Sequence, residues 1–334
     1  MMTALVDSAG LVVSYATPRG SIRALDGADL LVGRDETLAI VGESGSGKTT
    51  LGMALGRLLP AGARREAGSP RVAGLPVFDA PEEALRRLRR ETLGFVFQNP
   101  MTALDPTMRI DRQVARALGG RPRAAEGAAE GAAEGAAQVA ALLARLELDA
   151  PERVMRSFPH QLSGGMAQRV VIAMAIARGP ALVVADEPTA SLDASIRERV
   201  MATLMALRAA SGASLIVLSH DLRMAARHAD NVAVMYGGRI VEYGTGADVL
   251  ACPVHPCTAA LIAAAAGSDG PDGRLRPIPG APPVLHGDSP GCTFAPRCPL
   301  REARCAAERP ARRRVAGRDV LCHVAAPPPP AGAP

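Results

Sequence analysis

An α/β fold with a largely parallel sheet is predicted by three features of this 334-residue chain. An apolar strand at 37–41 runs into a glycine-rich loop and then a helical pattern at 50–55. Two further buried strands, 181–185 and 214–218, alternate with helical patterns, as βαβ units do. Ahead of them, 11–45 alternates apolar runs with turn signals, a β-rich opening, and 80–165 is helical in pattern.

The loop after the first strand reads Gly42-Glu43-Ser44-Gly45-Ser46-Gly47-Lys48-Thr49-Thr50, fitting the phosphate-binding pattern G-x-x-x-x-G-K-[ST] at every position. Lys48 is the sole lysine among 38 basic residues; all the others are arginine. A loop of backbone N–H groups wrapped round a triphosphate has room for a compact ammonium and none for a broad guanidinium fork. Strand, loop and helix in this order predict an ATP or GTP site.

The strand at 181–185 ends in Asp186-Glu187. A carboxylate at the carboxyl end of a buried strand is where Mg²⁺ is held in such folds. Thr49 is expected to supply a hydroxyl ligand and Asp186 acidic support, with Glu187 placed to polarise the attacking water. A strand end that simply meets solvent is the plainer alternative. Upstream, Leu162-Ser163-Gly164-Gly165-Met166 precedes an apolar helix at 167–178 and offers a second anion cradle at a helix N-terminus. Two cradles far apart in one domain suggest a homologous dimer, with each nucleotide held between one protomer's loop and the other's cradle.

Bulk composition narrows the class. Apolar residues are 48% and aromatic residues 2%, so the core must be mostly Leu, Val, Ala and Met. A net charge of +5 is mild, and basic residues are scattered without aromatic stacking platforms, which argues against a nucleic-acid reader. No segment approaches about 18 uninterrupted apolar residues, and the N-terminus reads as no signal peptide. The chain is expected to be cytosolic, with any membrane role coming through a partner.

Composition changes near residue 250, where a domain boundary is placed, with Pro and Gly dense beyond it. Residues 326–334 read as a disordered Pro-rich tail. The repeat Glu126-Gly127-Ala128-Ala129, recurring at Glu130 and Glu134, reads as a solvated excursion without chemistry. Cys292, Cys298, Cys305 and Cys322 stand apart from Cys252 and Cys257, which read as core or free thiols. The spacing of the four lacks the close pairs of structural zinc and suits the looser gaps of an iron–sulfur site with a following proline; zinc and free thiols stay open.

The ordered set of phosphate loop, Leu-Ser-Gly-Gly and strand ending Asp-Glu resembles the ATP-binding cassette (ABC) ATPases over roughly residues 5–250. The resemblance implies a P-loop NTPase cassette: a RecA-like core with an antiparallel β subdomain and a helical subdomain at about 100–165. It implies that Tyr15 stacks on adenine, though Tyr15 alone reads equally as a strand packing residue. Further, it implies that Gln98 touches Mg²⁺ and water, that Ala190-Ser191-Leu192-Asp193 lies at the dimer interface, and that His220 contacts the γ-phosphate. Met166 departs from the glutamine common there, and the contacts at stake belong mainly to Ser163 and Gly165.

Phe158-Pro159-His160-Gln161-Leu162 and Asn99-Pro100-Met101-Thr102-Ala103-Leu104-Asp105-Pro106 look like the oligopeptide/dipeptide importer ATPases within that family. So do His255-Pro256, Ile278-Pro279-Gly280, Gly291-Cys292 and Pro296-Arg297-Cys298-Pro299; Cys257 stands where that branch usually has tyrosine. The resemblance implies an ATPase domain over 1–250 and a small metal-binding extension over 251–325. There Cys292, Cys298, Cys305 and Cys322 would hold a [4Fe–4S] cluster, with Zn²⁺ as the alternative. Implied partners are transmembrane permease subunits, a second ATPase subunit (paralogue or self) and an extracytoplasmic peptide-binding protein; the implied location is peripheral, on the cytoplasmic side of the membrane. An importer ATPase for nickel or another solute, a soluble non-transport ABC ATPase and a metal-dependent sensor are the rival readings.

Overall fold

Every residue of the strand Thr37–Val41 is buried, as an apolar run paired on both edges and covered on both faces must be. It runs parallel to Asn231–Tyr236, with Leu38 opposite Asn231 and Val41 opposite Val234. The structure, a computed structural model, describes residues 4–18, 20–119, 128–189, 194–266 and 277–326. They fall into two units, Met1–Pro81 with Ile216–Pro334, and Glu82–Leu215.

In the first unit the sheet continues antiparallel from Asn231–Tyr236 through Arg239–Thr245, Arg318–Leu321 and Arg312–Val315. The C-terminal segment therefore donates two strands to the sheet that contains Thr37–Val41. A second, antiparallel sheet joins Val6–Thr17 to Gly20–Val32, Ala63–Ala67 and Arg71–Val72, which is the β-rich opening read from the sequence. The helix Lys48–Leu55 starts two residues earlier than its periodicity suggested.

The core of this unit gathers Ala39, Val41, Leu222, Val232 and Val234 with Tyr236, Cys257 and Phe294. Aromatic residues are scarce, yet Tyr236 and Phe294 are among the largest fully buried side chains and meet edge to face at 5.1 Å. That arrangement adds to the area they bury. Val254, Val320 and Cys322 form a smaller satellite cluster.

These contacts correct one expectation. Residues 285–325 are Pro-rich and poor in apolar side chains, which made a metal the expected source of their order. Among the described residues, no three His, Cys, Asp or Glu side chains gather to hold a metal ion, so the metal-binding extension is not supported, as [4Fe–4S] or as zinc. The segment takes its order from the core it lies on. Phe294 and Cys257 are buried in that core, and Asp26 joins the two by ion pairs. Its carboxylate, 1% exposed, receives Arg239 at 2.6 Å and Arg309 at 3.1 Å, while Arg23 of the β-rich opening reaches it at 3.0 Å. Arg239 also donates to the carbonyls of Ser289 and Gly291.

In the second unit Leu93–Val96 runs parallel to Leu182–Asp186, in register from Leu93 and Leu182 to Val96 and Ala185. The helix Gly164–Ile176 crosses Leu93–Val96 so closely that a Cβ at Gly94 would run into the carbonyl of Ala175. Ile110–Leu118 packs on Gly164–Ile176 and on Pro151–Arg156, and Ala128–Arg145 joins them. The charged stretch 82–90 divides between the helix Glu82–Arg87 and a π-helical turn, Leu88–Thr92. The first copy of the Glu-Gly-Ala-Ala repeat begins at positions that lie outside the described residues; from Ala128 on the repeat is helical. Positions 190–193 and 327–334 also lie outside them. Among the described residues no helix is long and apolar enough to cross a membrane.

Candidate nucleotide site

The loop 42–47 turns the strand Thr37–Val41 into the helix Lys48–Leu55 through two glycines in the left-handed region, Gly45 at φ 78° and Gly47 at φ 106°. Only glycine fits at 47, because a Cβ there would stand 2.5 Å from the carbonyl oxygen of Ala24. Gly238 N donates to Ser46 O at 3.0 Å, tying the loop to the end of Asn231–Tyr236. Lys48 is 5% exposed, and its Nζ donates to Gly42 O at 2.8 Å and Glu43 O at 3.0 Å. The only lysine of the chain is thus folded into the loop that was read as its reason for being there.

Tyr15 is half-buried, and its hydroxyl lies 3.1 Å from Thr50 Oγ1. That bond fixes the ring beside the first turn of the phosphate helix. Ser44 lies in the loop and Thr49 in the first turn of the helix. His220, at the end of Ser214–Ser219, is exposed. Its neighbour Asp221 caps Leu222–His228 by accepting from Met224 N at 2.9 Å, which holds the His220 turn in place.

The second unit carries the carboxylates. Asp186 ends the strand Leu182–Asp186 and is 2% exposed. Glu187 follows in the left-handed region at φ 42°, a conformation that costs a non-glycine residue on the order of 1–3 kcal/mol and collects at functional sites. Gln98 Nε2 donates to Glu187 Oε2 at 3.1 Å. Two residues expected to act on the same water thus meet across 89 positions of sequence. Ser163 caps Gly164–Ile176 by accepting from Met166 N at 3.3 Å, leaving Gly164 and Gly165 in the first turn with no Cβ in front of the backbone. Within this unit Gln98 and Asp186 offer amide and carboxylate oxygens, donors of the kind that Mg²⁺ takes.

Sequence reasoning missed the residues that brace the loop. Arg297 pairs with Glu43 through both carboxylate oxygens, at 2.6 and 3.1 Å. The pair spans 254 positions, so no local pattern announces it. The only available signal was an arginine inside the Pro296-Arg297-Cys298-Pro299 motif.

The four cysteines share one region of the first unit. Cys292 N donates to Cys305 O at 2.8 Å, and Glu302 N to Cys305 Sγ at 3.4 Å. Burial pushes the thiols of Cys292, Cys298 and Cys322 up, and the thiols nearby push the same way.

Comparison with known proteins gives this geometry a family. Residues 25–190 match the ABC transporter family model, and 241–305 match the C-terminal region of oligopeptide/dipeptide transporters. The oligopeptide transport ATP-binding protein OppD of Escherichia coli is 37% identical over 96% of this chain and 93% of its own length. OppD of Mycobacterium bovis is 40% identical over 92% of this chain. The chain spans about half the length of that mycobacterial relative, 50%. A dimeric ATP-binding cassette solved with ADP and phosphate after hydrolysis shares the fold at a TM-score of 0.62, with 29% identity over 72% of this chain and 98% of that one. The chain belongs to the ABC transporter family of ATP-binding proteins, in the branch of the oligopeptide transport ATP-binding proteins.

Proposed function

We propose that this chain is the ATP-hydrolysing subunit of a peptide importer, working as one of two cassettes beneath a transmembrane permease. The observation that carries the reading is the Gln98–Glu187 pair, with Glu187 held in a strained conformation after a buried Asp186, in a chain whose phosphate loop encloses its only lysine.

In this reading Lys48 exchanges its bonds to the loop carbonyls for phosphate oxygens, and the backbone N–H groups of 43–50 wrap the rest. Tyr15 supports the adenine. Thr49, Asp186 and Gln98 would hold Mg²⁺, which spreads the charge of the phosphates when bound. Glu187 accepts a proton from the attacking water, oriented by Gln98, and His220 steadies the γ-phosphate. Ser163, Gly164 and Gly165 complete the nucleotide site of the facing cassette, the partner being a second copy or a paralogue. ATP binding closes the pair and hydrolysis reopens it, so the permease is driven by the population shift between the two states.

Peptide as cargo is supported by the OppD relatives and by the match at 241–305. It comes to the permease through an extracytoplasmic binding protein and never touches this chain, which lies peripherally on the cytoplasmic side. Reconstitution with the permease and binding protein tests it: peptide uptake should require ATP and be abolished by Glu187→Gln. ATP turnover stimulated by nickel or another solute, and not by peptide, would reassign the cargo.

A [4Fe–4S] cluster at Cys292, Cys298, Cys305 and Cys322 stands as a second reading. It rests on the resemblance and on the four cysteines sharing one region of the first unit, where no group of the described residues is gathered to hold a metal ion. Protein purified without oxygen decides it: about four irons per chain for the cluster, one zinc for the alternative, no metal against both.

A further inference from the structure

Glu43 sits oddly for its place. It lies inside a loop whose task is to receive a polyanion, and a free carboxylate there would repel the phosphates. In the structure that carboxylate is not free. Arg297, from the C-terminal extension, meets it fork to fork, Nη1 to Oε2 at 2.6 Å and Nη2 to Oε1 at 3.1 Å. Such pairs are the strongest and most directional of side-chain hydrogen bonds.

Arg297 is built in. Its side chain is 5% exposed, and all five of its N–H groups have acceptors. Besides the two on Glu43, Nη1 donates to Tyr236 Oη at 3.0 Å, Nη2 to Ile278 O at 3.0 Å and Nε to Pro279 O at 2.8 Å. Only a guanidinium carries five donors in this planar arrangement. The backbone beneath is fixed as well: Ala295–Arg297 is a single 3₁₀ turn rooted by Phe294, which is 1% exposed and packs edge to face on Tyr236. Ile278 and Pro279 arch over the guanidinium through Gly280, at φ 76°.

The other end of this contact is the phosphate-binding lysine. Glu43 holds Arg297 with its carboxylate and Lys48 Nζ with its carbonyl, the latter at 3.0 Å. One residue thus joins the extension to the lysine by two short bonds.

We propose that Arg297 is a positioning residue of the nucleotide site, through which the C-terminal extension neutralises and anchors Glu43 and so sets the affinity of the phosphate loop for ATP. The inference rests on the reading of the loop as an ATP site. It makes the extension a regulator of nucleotide affinity: whatever shifts the 3₁₀ turn, including a change at the adjoining Cys298, reaches Lys48 through Glu43.

The test measures equilibrium binding of MgATP, together with kcat and KM, for the full chain and for Arg297→Gln, Glu43→Gln and the double variant. Arg297→Gln leaves an uncompensated carboxylate in the loop, so binding should weaken roughly tenfold, with kcat at saturation within about threefold. Glu43→Gln removes the anion itself and should weaken binding less than Arg297→Gln does. The double variant should return to within about threefold of Glu43→Gln, because the repulsion has gone with the charge. Arg297→Lys keeps the charge without the fork and should fall between wild type and Arg297→Gln. If Arg297→Gln melts below assay temperature, Arg297→Lys carries the comparison alone, with wild-type affinity counting against the proposal. Unchanged affinity in Arg297→Gln, or a double variant as weak as Arg297→Gln, overturns it. A wild-type chain that binds no MgATP would instead sink the nucleotide reading on which it stands.

Discussion

Gln98 Nε2 donates to Glu187 Oε2 at 3.1 Å, joining the residue after Leu93–Val96 and its short connecting turn to the residue that follows Leu182–Asp186. Because the two strands are paired in parallel register, their carboxyl ends lie side by side and the contact is a consequence of the sheet. Removing the donor by Gln98→Ala should lower turnover roughly tenfold to a hundredfold, the scale on which a misplaced catalytic group costs rate. MgATP affinity should stay within about threefold, and steady-state kinetics beside equilibrium binding checks both. Unchanged turnover would reduce the contact to packing.

Glu187 at φ 42° predicts a separation of stability from activity. Asn tolerates the left-handed region better than Glu does, so Glu187→Asn should melt no lower than wild type while turnover collapses. A variant destabilised by more than about 1 kcal/mol would mean that the conformation stores no strain.

Lys48→Arg keeps the charge and should still weaken MgATP binding by roughly tenfold or more, because the fork does not fit among the carbonyls that Lys48 now meets at 2.8 and 3.0 Å. Titration of a fluorescent ATP analogue measures this. Wild-type affinity would make the single lysine an accident of composition.

Asp26 joins the extension to the core, and its carboxyl titrates below its ordinary value of 3.8. Burial alone would raise it; the Arg239 fork, with Arg309 and Arg23, more than offsets burial. A carboxyl whose folded pKa is depressed contributes stability that is complete above its unfolded pKa and is lost as pH falls below 3.8 toward the folded value. Asp26→Ala leaves the buried Arg239 without its carboxylate, while Arg23 and Arg309 keep Glu66 and Asp288, and should cost about 3–5 kcal/mol. It should also flatten the fall in stability below pH 4. Urea unfolding of both proteins at pH 7 and at pH 3.5 reads each effect, and an equal acid slope in the variant would remove Asp26 from that role.

The segment 99–109 is proposed to receive a short helix of the permease. Asn99 caps Pro100–Ala103 by accepting from Met101 N at 3.0 Å, and Asp105 Oδ1 accepts from Thr107 N and Oγ1 at 2.9 and 2.7 Å. The segment is therefore a set of ordered turns, from which Met101 projects with 43% of its surface exposed. A photo-crosslinking residue at Met101 should capture the permease in membranes. Crosslinks to other cassettes alone would place the coupling surface elsewhere.

Much of this was legible in the residues. The phosphate loop could be found because its chemistry is contiguous: strand, glycines, lysine and helix follow one another between 37 and 55. Asp186 and Glu187 stood out because two adjacent carboxylates close an otherwise apolar strand. The Arg297–Glu43 pair and the Asp26 hub were not legible, since their partners lie more than 200 positions apart and arginine is too common here to stand out. The cysteines invited a metal as the source of order, and the reason the expectation outran the structure is also physical. Phe294 and the two strands Arg312–Val315 and Arg318–Leu321 borrow a core and a sheet edge from another part of the chain, a possibility that local composition does not express.

Glu187 is proposed as the group that polarises water when this chain turns over ATP. Phosphate release from MgATP by the wild-type chain and by Glu187→Gln, with binding measured on the same samples, tests it most directly. The account predicts a fall of roughly 10²–10⁴ in turnover, MgATP affinity within about threefold, and a shift of the variant toward a closed dimer in the presence of ATP. Near-normal phosphate release by Glu187→Gln would contradict it.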